Sequence, residues 1–357
     1  MVHIIKYLWV MVLLGFPITA YSDWSSSNLN VVDRYIVPRY AALQQSSQGL
    51  QPAIFTLCQQ PSVQHLEQAK QGFHAVMDAW QKIEHMRFGP AELFLRHHRF
   101  FMWPDKHNTG AKQLRRMRAK QDYAVLTPER FRHNSVAVQG LSVLERLLFA
   151  KKPNLLKKDG EGLYLCQLSQ AISRNLIQIS TALHGDWKQG QGRHEIATAK
   201  GGNDSYESDI EVASILLNQL HTQLQRVVEM KLGRPLDKSI KRAKPKRAES
   251  WRSARALKNI KLNLISSQDL YHVGFSTAVL THPSGDALNR EITQSFKDAI
   301  ERIASLKGPL PPMVKDPEQR AQLMAFQQHV SELQQLIGEK LPGMIHVPLG
   351  FNSLDGD

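Results

Sequence analysis

The chain has 357 residues, 42% of them apolar, and 45 Lys and Arg against 32 Asp and Glu give it a formal net charge of +13. That length and apolar content exclude wholesale disorder and suffice for one large domain or two ordinary ones. The positive charge is spread along the chain and, in an exported protein, argues against a nucleic-acid reader.

Residues 1–22, "MVHIIKYLWVMVLLGFPITAYS", carry one Lys, an apolar run from Tyr7 to Phe16, Pro17, and small residues at Ala20 and Ser22. This pattern predicts a cleaved secretory signal peptide and a periplasmic mature chain starting at Asp23. The run is shorter than the roughly 20 residues a membrane span needs. No Cys stands near the cleavage point to take a lipid, and no later segment reads as a transmembrane helix.

Beyond the leader, apolar residues recur at helical spacing and strand-like alternation is absent. In 63–87, Leu66, Ala69, Phe73, Val76, Met77, Trp80 and Ile83 form one stripe. Continued at about 100° per residue, the same helix places Glu84 and Arg87 on the apolar face, as a buried pair or as the wall of a polar cavity. The stretch "RHHRFFMWPDKHN" (96–108) gathers three His, two Arg, Trp103 and Asp105. Asp105 suits a cap after Pro104, and His with carboxylates from separate helices is how bundles build metal sites.

In "AVQGLSVLERLLFA" (137–150), Glu145 falls about 40° from Leu141, inside the apolar arc. A carboxylate there needs a partner or a ligand, or it takes up a proton. A helix over 162–183 follows, with Leu165, Leu168, Ile172, Leu176, Ile179 and Leu183 on one side. The Gly-rich, polar 190–205 interrupts the pattern and marks a boundary between residues 23–200 and 201–357. Ser208 caps the next helix, which Gly233 and Pro235 end. The basic run Lys238–Arg252 reads either as a solvated linker or as a patch for anionic surfaces. Helical patterns resume over 249–271, 288–306 and 317–341. The sum is an all-α protein of two packed, four-helix-type bundles. Cys58 and Cys166 both sit in apolar contexts, so a disulfide and two buried thiols remain open.

HExxH, GxSxG, phosphate-loop and dinucleotide-binding motifs are all missing. In their order, "AWQKIEHMRFGP" (79–90), "RFFMWPD" (99–105), "VQGLSVLERLLF" (138–149), "ESWRSARALKNI" (249–260) and "PLGFNSLDGD" (348–357) resemble the imelysin family, also classed as peptidase family M75. The resemblance implies two helical bundles with a site between them, export, a link to iron uptake, and a GxHxxE motif whose His and Glu share a helix face. Gly140 and Glu145 match that motif, but Ser142 stands where the His belongs. Serine is a poor neutral ligand for zinc or ferrous iron, unless His85, His97, His98 or His133 substitutes for the missing His.

The expected function is therefore a non-catalytic accessory or binding protein tied to iron or to iron-uptake proteins. Its pocket would use Glu145, Ser142, Arg99, Trp103 and Asp105, with Glu84, Arg87, Trp251, Arg252 and Asp355 behind them. Glu145 is the candidate ligand for iron or another divalent metal. A metal-dependent peptidase and a ligand-free helical scaffold are the alternatives.

Overall fold

Residues 23–350 are described by the computed structural model, so the predicted leader and Asp355 lie outside the described residues. Among the described residues, α-helices of eight residues or more run in the order α1 (Trp24–Val31), α2 (Val37–Gln59), α3 (Val63–Gln81), α4 (Thr109–Lys120), α5 (Leu141–Leu148), α6 (Gly160–Lys188), α7 (Gln191–Thr198), α8 (Asp209–Gln225), α9 (Ala256–Gly274), α10 (Gly285–Ser305) and α11 (Pro317–Gln335). No strand occurs among the described residues, and the protein is all-α.

Local chemistry starts these helices where the sequence places caps. Ser62 accepts from His65 N, Asp159 from Gly162 N, Ser208 from Glu211 N and Asp316 from Gln319 N. Each such cap satisfies an orphan N–H and stabilises its helix by about 1 kcal/mol. The predicted stripes of α3 and α6 are buried along their length. Two helix assignments change. The helix from Val63 ends at Gln81, so Glu84 and Arg87 sit on the turn beyond it, ahead of the 3₁₀ turn Gly89–Ala91. Within 137–150, a 3₁₀ turn at Val136–Val138 precedes α5, and the chain is extended at Gly140. A Cβ on Gly140 would collide with the carbonyl oxygens of Arg99 and Phe100, so only glycine lets α5 dock on that backbone.

Helices α2, α3, α5 and α6 pack together, as do α8, α9, α10 and α11. Between the two groups, α1 lies on α8 and α9, and α9 also touches α3. The buried apolar side chains form one continuous cluster from Trp24 to Val347. Cys58 and Cys166 are joined in a disulfide, with 5.4 Å between their Cα atoms, tying the end of α2 to the start of α6. Half of the Gly-rich 190–205 is itself helical, as α7. The basic run 238–252 is not a solvated linker throughout: Glu249 and Ser250 are buried. No described helix is long and apolar enough to cross a membrane.

Candidate functional site

Where the two groups meet, a cavity of about 270 Å³ opens. The segment Phe101–Asp105 and the start of α5 form one wall. The other comes from Arg234, just past α8, and from the turn 246–252. Six candidates read from the sequence line it together: Trp103, Asp105, Ser142, Glu145, Trp251 and Arg252. Arg99 turns away, giving Nε to Gln139 Oε1 (2.7 Å) and Nη2 to Asn175 Oδ1 (2.9 Å). Glu84 and Arg87 do not line the cavity either.

Glu145 is buried, and its partner is Ser253. The Ser253 backbone N–H (2.9 Å) and hydroxyl (2.7 Å) both donate to Glu145 Oε1. Burial raises the Glu145 carboxyl above its ordinary value, while the Ser253 hydrogen bonds and the charges of Arg252 and Arg146 pull the other way. Ser142 does not turn to Glu145: α5 begins against the Phe101–Trp103 backbone, and the hydroxyl donates to Met102 O at 2.8 Å. Asp105 is a cap, its two oxygens accepting from Thr109 N (2.7 Å) and Gly110 N (3.0 Å) at the start of α4.

Cations dominate the remaining lining. Lys106, Arg146, Arg234, Lys246, Arg247 and Arg252 all face this space. The Arg252 guanidinium lies over the Trp251 ring at 4.1 Å from its centroid, and Lys246 Nζ lies 5.8 Å from the same centroid. Burial and the neighbouring Arg146 charge lower the Arg252 pKa; burial and Arg247 lower that of Arg234. The like charges are thus close enough to repel one another.

The geometry suits a metal poorly. Among the described residues, no histidine lines the cavity. His97 is buried and hydrogen-bonds the Glu84 carbonyl (2.8 Å), His85 meets the Tyr35 hydroxyl (2.8 Å), and His133 accepts from Arg132 Nε. Burial drives the His85 pKa down to about 3 and that of His97 well below its ordinary value, which keeps both rings neutral. Among the described residues, no three His, Cys, Asp or Glu side chains are grouped so as to hold a metal ion.

The imelysin family profile matches residues 36–337, which take in both helical groups and every wall of the cavity. The chain belongs to the imelysin family. It is 22% identical over 311 residues to iron-regulated protein A of Synechococcus elongatus (strain ATCC 33912 / PCC 7942 / FACHB-805), a match that covers 83% of this chain and 80% of the relative. Its fold is that of an imelysin-like protein from Psychrobacter arcticum 273-4, with a TM-score of 0.70, 18% identity, and coverage of 92% of this chain and 97% of that one. It also matches a Parabacteroides distasonis ATCC 8503 structure provisionally named iron-regulated protein A precursor, with a TM-score of 0.73, 17% identity, and coverage of 89% and 95%.

In this family member the stretch "ESWRSARALKNI" is a row of polar contacts. Glu249 meets Lys231, Ser253 meets Glu145, Arg255 pairs with Asp78, and Asn259 donates to Glu249. Lys231 sits on the π-helical stretch Arg226–Gly233 that extends α8, with only 1% of its side chain exposed. Four oxygens surround its Nζ at hydrogen-bond distance, Glu84 Oε1 (2.5 Å), Gln81 Oε1 (2.7 Å), Asn263 Oδ1 (2.7 Å) and Glu249 Oε2 (2.9 Å), and share its three N–H groups. Burial alone would raise the Glu84 carboxyl, but the facing Lys231, Arg226 and Arg87 charges hold it below its ordinary value. Glu249 is raised by burial, and the Glu84 charge beside it adds to that rise. Arg87 does not neutralise Glu84 directly, because its Nε donates to the Glu84 backbone carbonyl.

Sequence reading missed Ser253, Glu249 and Lys231. The inward angle of Glu145 signalled that some donor had to exist, but a hydrogen bond across 108 residues leaves no local spacing to read.

Proposed function

We propose that this imelysin is an exported, iron-linked accessory protein that binds a ligand in the Trp103–Trp251 cavity and does not cut peptides. On this reading the cavity lies between two bundles divided near residue 200. The observation that carries the reading is the state of Glu145. Its Oε1 accepts from both Ser253 donors, in a cavity lined by no histidine among the described residues. A metallopeptidase needs a metal-activated water and a general base facing it. Ser142 spends its hydroxyl on the Met102 carbonyl, and Asp105 spends both oxygens on a helix start. These residues do not fit a catalytic metal, and no step is routed through one. The iron link is supported by the names of the similar proteins. Half-buried Arg252 and the exposed Lys246 and Arg247 of the run 238–252 all line the cavity, which supports a ligand there.

Three readouts on the native chain test this reading. N-terminal sequencing of the mature protein should begin at Asp23. Its level should change with iron supply. An unstructured protein such as casein should stay intact on incubation with it, with or without added zinc or iron. Cleavage that disappears in Glu145→Gln would refute the binding role.

A further inference from the structure

We propose that the cavity takes a small polyvalent carboxylate anion, free or wrapped around a ferric ion. This rests on the binding reading above and names its ligand class.

The charge balance is the first observation. Among the described residues, Arg146, Arg234, Lys246, Arg247 and Arg252 line about 270 Å³ against two carboxylates, Asp105 and Glu145. Asp105 is held by two backbone N–H groups, and Glu145 by Ser253. Neither carboxylate makes a close ion pair with any of these five; Arg146 Nη2 stands 3.9 Å from Asp105 Oδ2. A bare divalent or trivalent cation would enter against this field, whereas an anion relieves it.

The second observation is an unsatisfied donor. Arg234 Nη1 is buried without a hydrogen-bond partner. A buried guanidinium nitrogen left so costs free energy that an oxyanion recovers, and the guanidinium fork matches a carboxylate edge-on. Arg252 is already held over the Trp251 ring, so less freedom is lost when it binds.

Size and wall chemistry choose among anions. The volume lies just under the roughly 300–1,000 Å³ of drug-sized pockets, so the ligand is small. Trp103 and Trp251 offer apolar faces that a carbon skeleton covers and a bare phosphate does not. The same class accommodates an iron link. A ferric ion wrapped by surplus carboxylates carries net negative charge and meets the cationic lining as an anion.

Calorimetric titration of the mature protein at low ionic strength tests this, with citrate, ferric citrate, inorganic phosphate and ferrous chloride as probes. Citrate or its ferric chelate should bind, more weakly as salt is raised. Affinity should fall at least tenfold in Arg234→Ala and in Arg252→Ala, and severalfold in Lys246→Ala, whose exposed side chain leaves folding intact. Glu145→Gln should bind the anion as well as the native chain or better. Binding of ferrous chloride alone, lost in Glu145→Gln, would overturn the anionic class yet leave the cavity as the binding site. Phosphate binding more tightly than citrate would overturn the carboxylate preference. Heat signals from none of the four probes would overturn both the class and the binding reading.

Discussion

Lys231→Met is the sharpest perturbation of the seam between the two helical groups. Methionine keeps most of the length of the lysine stem but removes its charge and all its donors. Lys231 shares its three N–H groups among four oxygens at 2.5–2.9 Å, two of them on the buried carboxylates Glu84 and Glu249. Removing one partner of a buried ion pair costs about 3–5 kcal/mol, because the opposite charge is left uncompensated. At roughly 2.1 cal/mol/K per residue, the unfolding entropy of about 330 residues is near 0.7 kcal/mol/K, so Tm should fall by about 4–7 °C. The pH dependence carries the signature. The native Glu84 pKa is lowered, so its stabilisation is present above the ordinary carboxylate value and is lost as pH falls through the lowered one. In Lys231→Met the two carboxyls are easier to protonate than to bury charged, so the deficit should shrink from pH 7 to pH 4. Adding Glu84→Gln and Glu249→Gln to the variant should recover most of the loss at pH 7. Thermal melts followed by circular dichroism read all three. A variant as stable as the native chain at pH 7, or a deficit unchanged by pH, would refute a charged Lys231 clamp.

Glu145 should respond in the opposite sense. Its folded pKa is raised, so its contribution is full below the ordinary carboxylate value and is lost as pH rises through the raised one. Glu145→Gln, whose side-chain oxygen still accepts from Ser253, should melt at or above the native temperature at pH 7 and lose that advantage by pH 4. A lower Tm at pH 7 would contradict this. Gly140→Ala should destabilise by about 1–3 kcal/mol, since its methyl meets the Arg99 and Phe100 carbonyls; chemical denaturation measures it. The Cys58–Cys166 bond closes a loop with a sequence separation of 108, so paired Cys→Ser substitution should cost about 3–5 kcal/mol, seen as a lower denaturation midpoint. An unchanged midpoint would show that the bond does not constrain the unfolded chain.

Helices and their faces were legible because they depend on short spacings. The stripe of α3, the Ser208 cap and the inward angle of Glu145 all follow from residues within a few turns of each other. Asp105 as a cap was legible for the same reason. Glu84 was placed inward by extending α3 past its end. It is buried, but by a turn that leaves the helix after Gln81, so the inference reached the right burial through the wrong element. The contacts that complete the site were not legible. Ser253 reaches Glu145 across 108 residues and Lys231 reaches Glu84 across 147, and periodicity carries no information at those separations. The basic run 238–252 was legible in part: its Lys and Arg side chains from Lys238 to Arg247 are exposed, as its composition suggests, but the fold buries Glu249 and Ser250 and brings Arg252 to the cavity wall. Cysteine pairing was undecided because it depends on α2 and α6 lying side by side, which is a tertiary fact.

Native mass spectrometry of the mature protein, isolated gently from its own host, tests most directly whether this imelysin holds a small anion in the Trp103–Trp251 cavity. The expected result is an added mass matching a small polycarboxylate or its iron chelate, present on the native chain and missing from Arg234→Ala/Arg252→Ala. A lone metal ion retained equally by both proteins would contradict it.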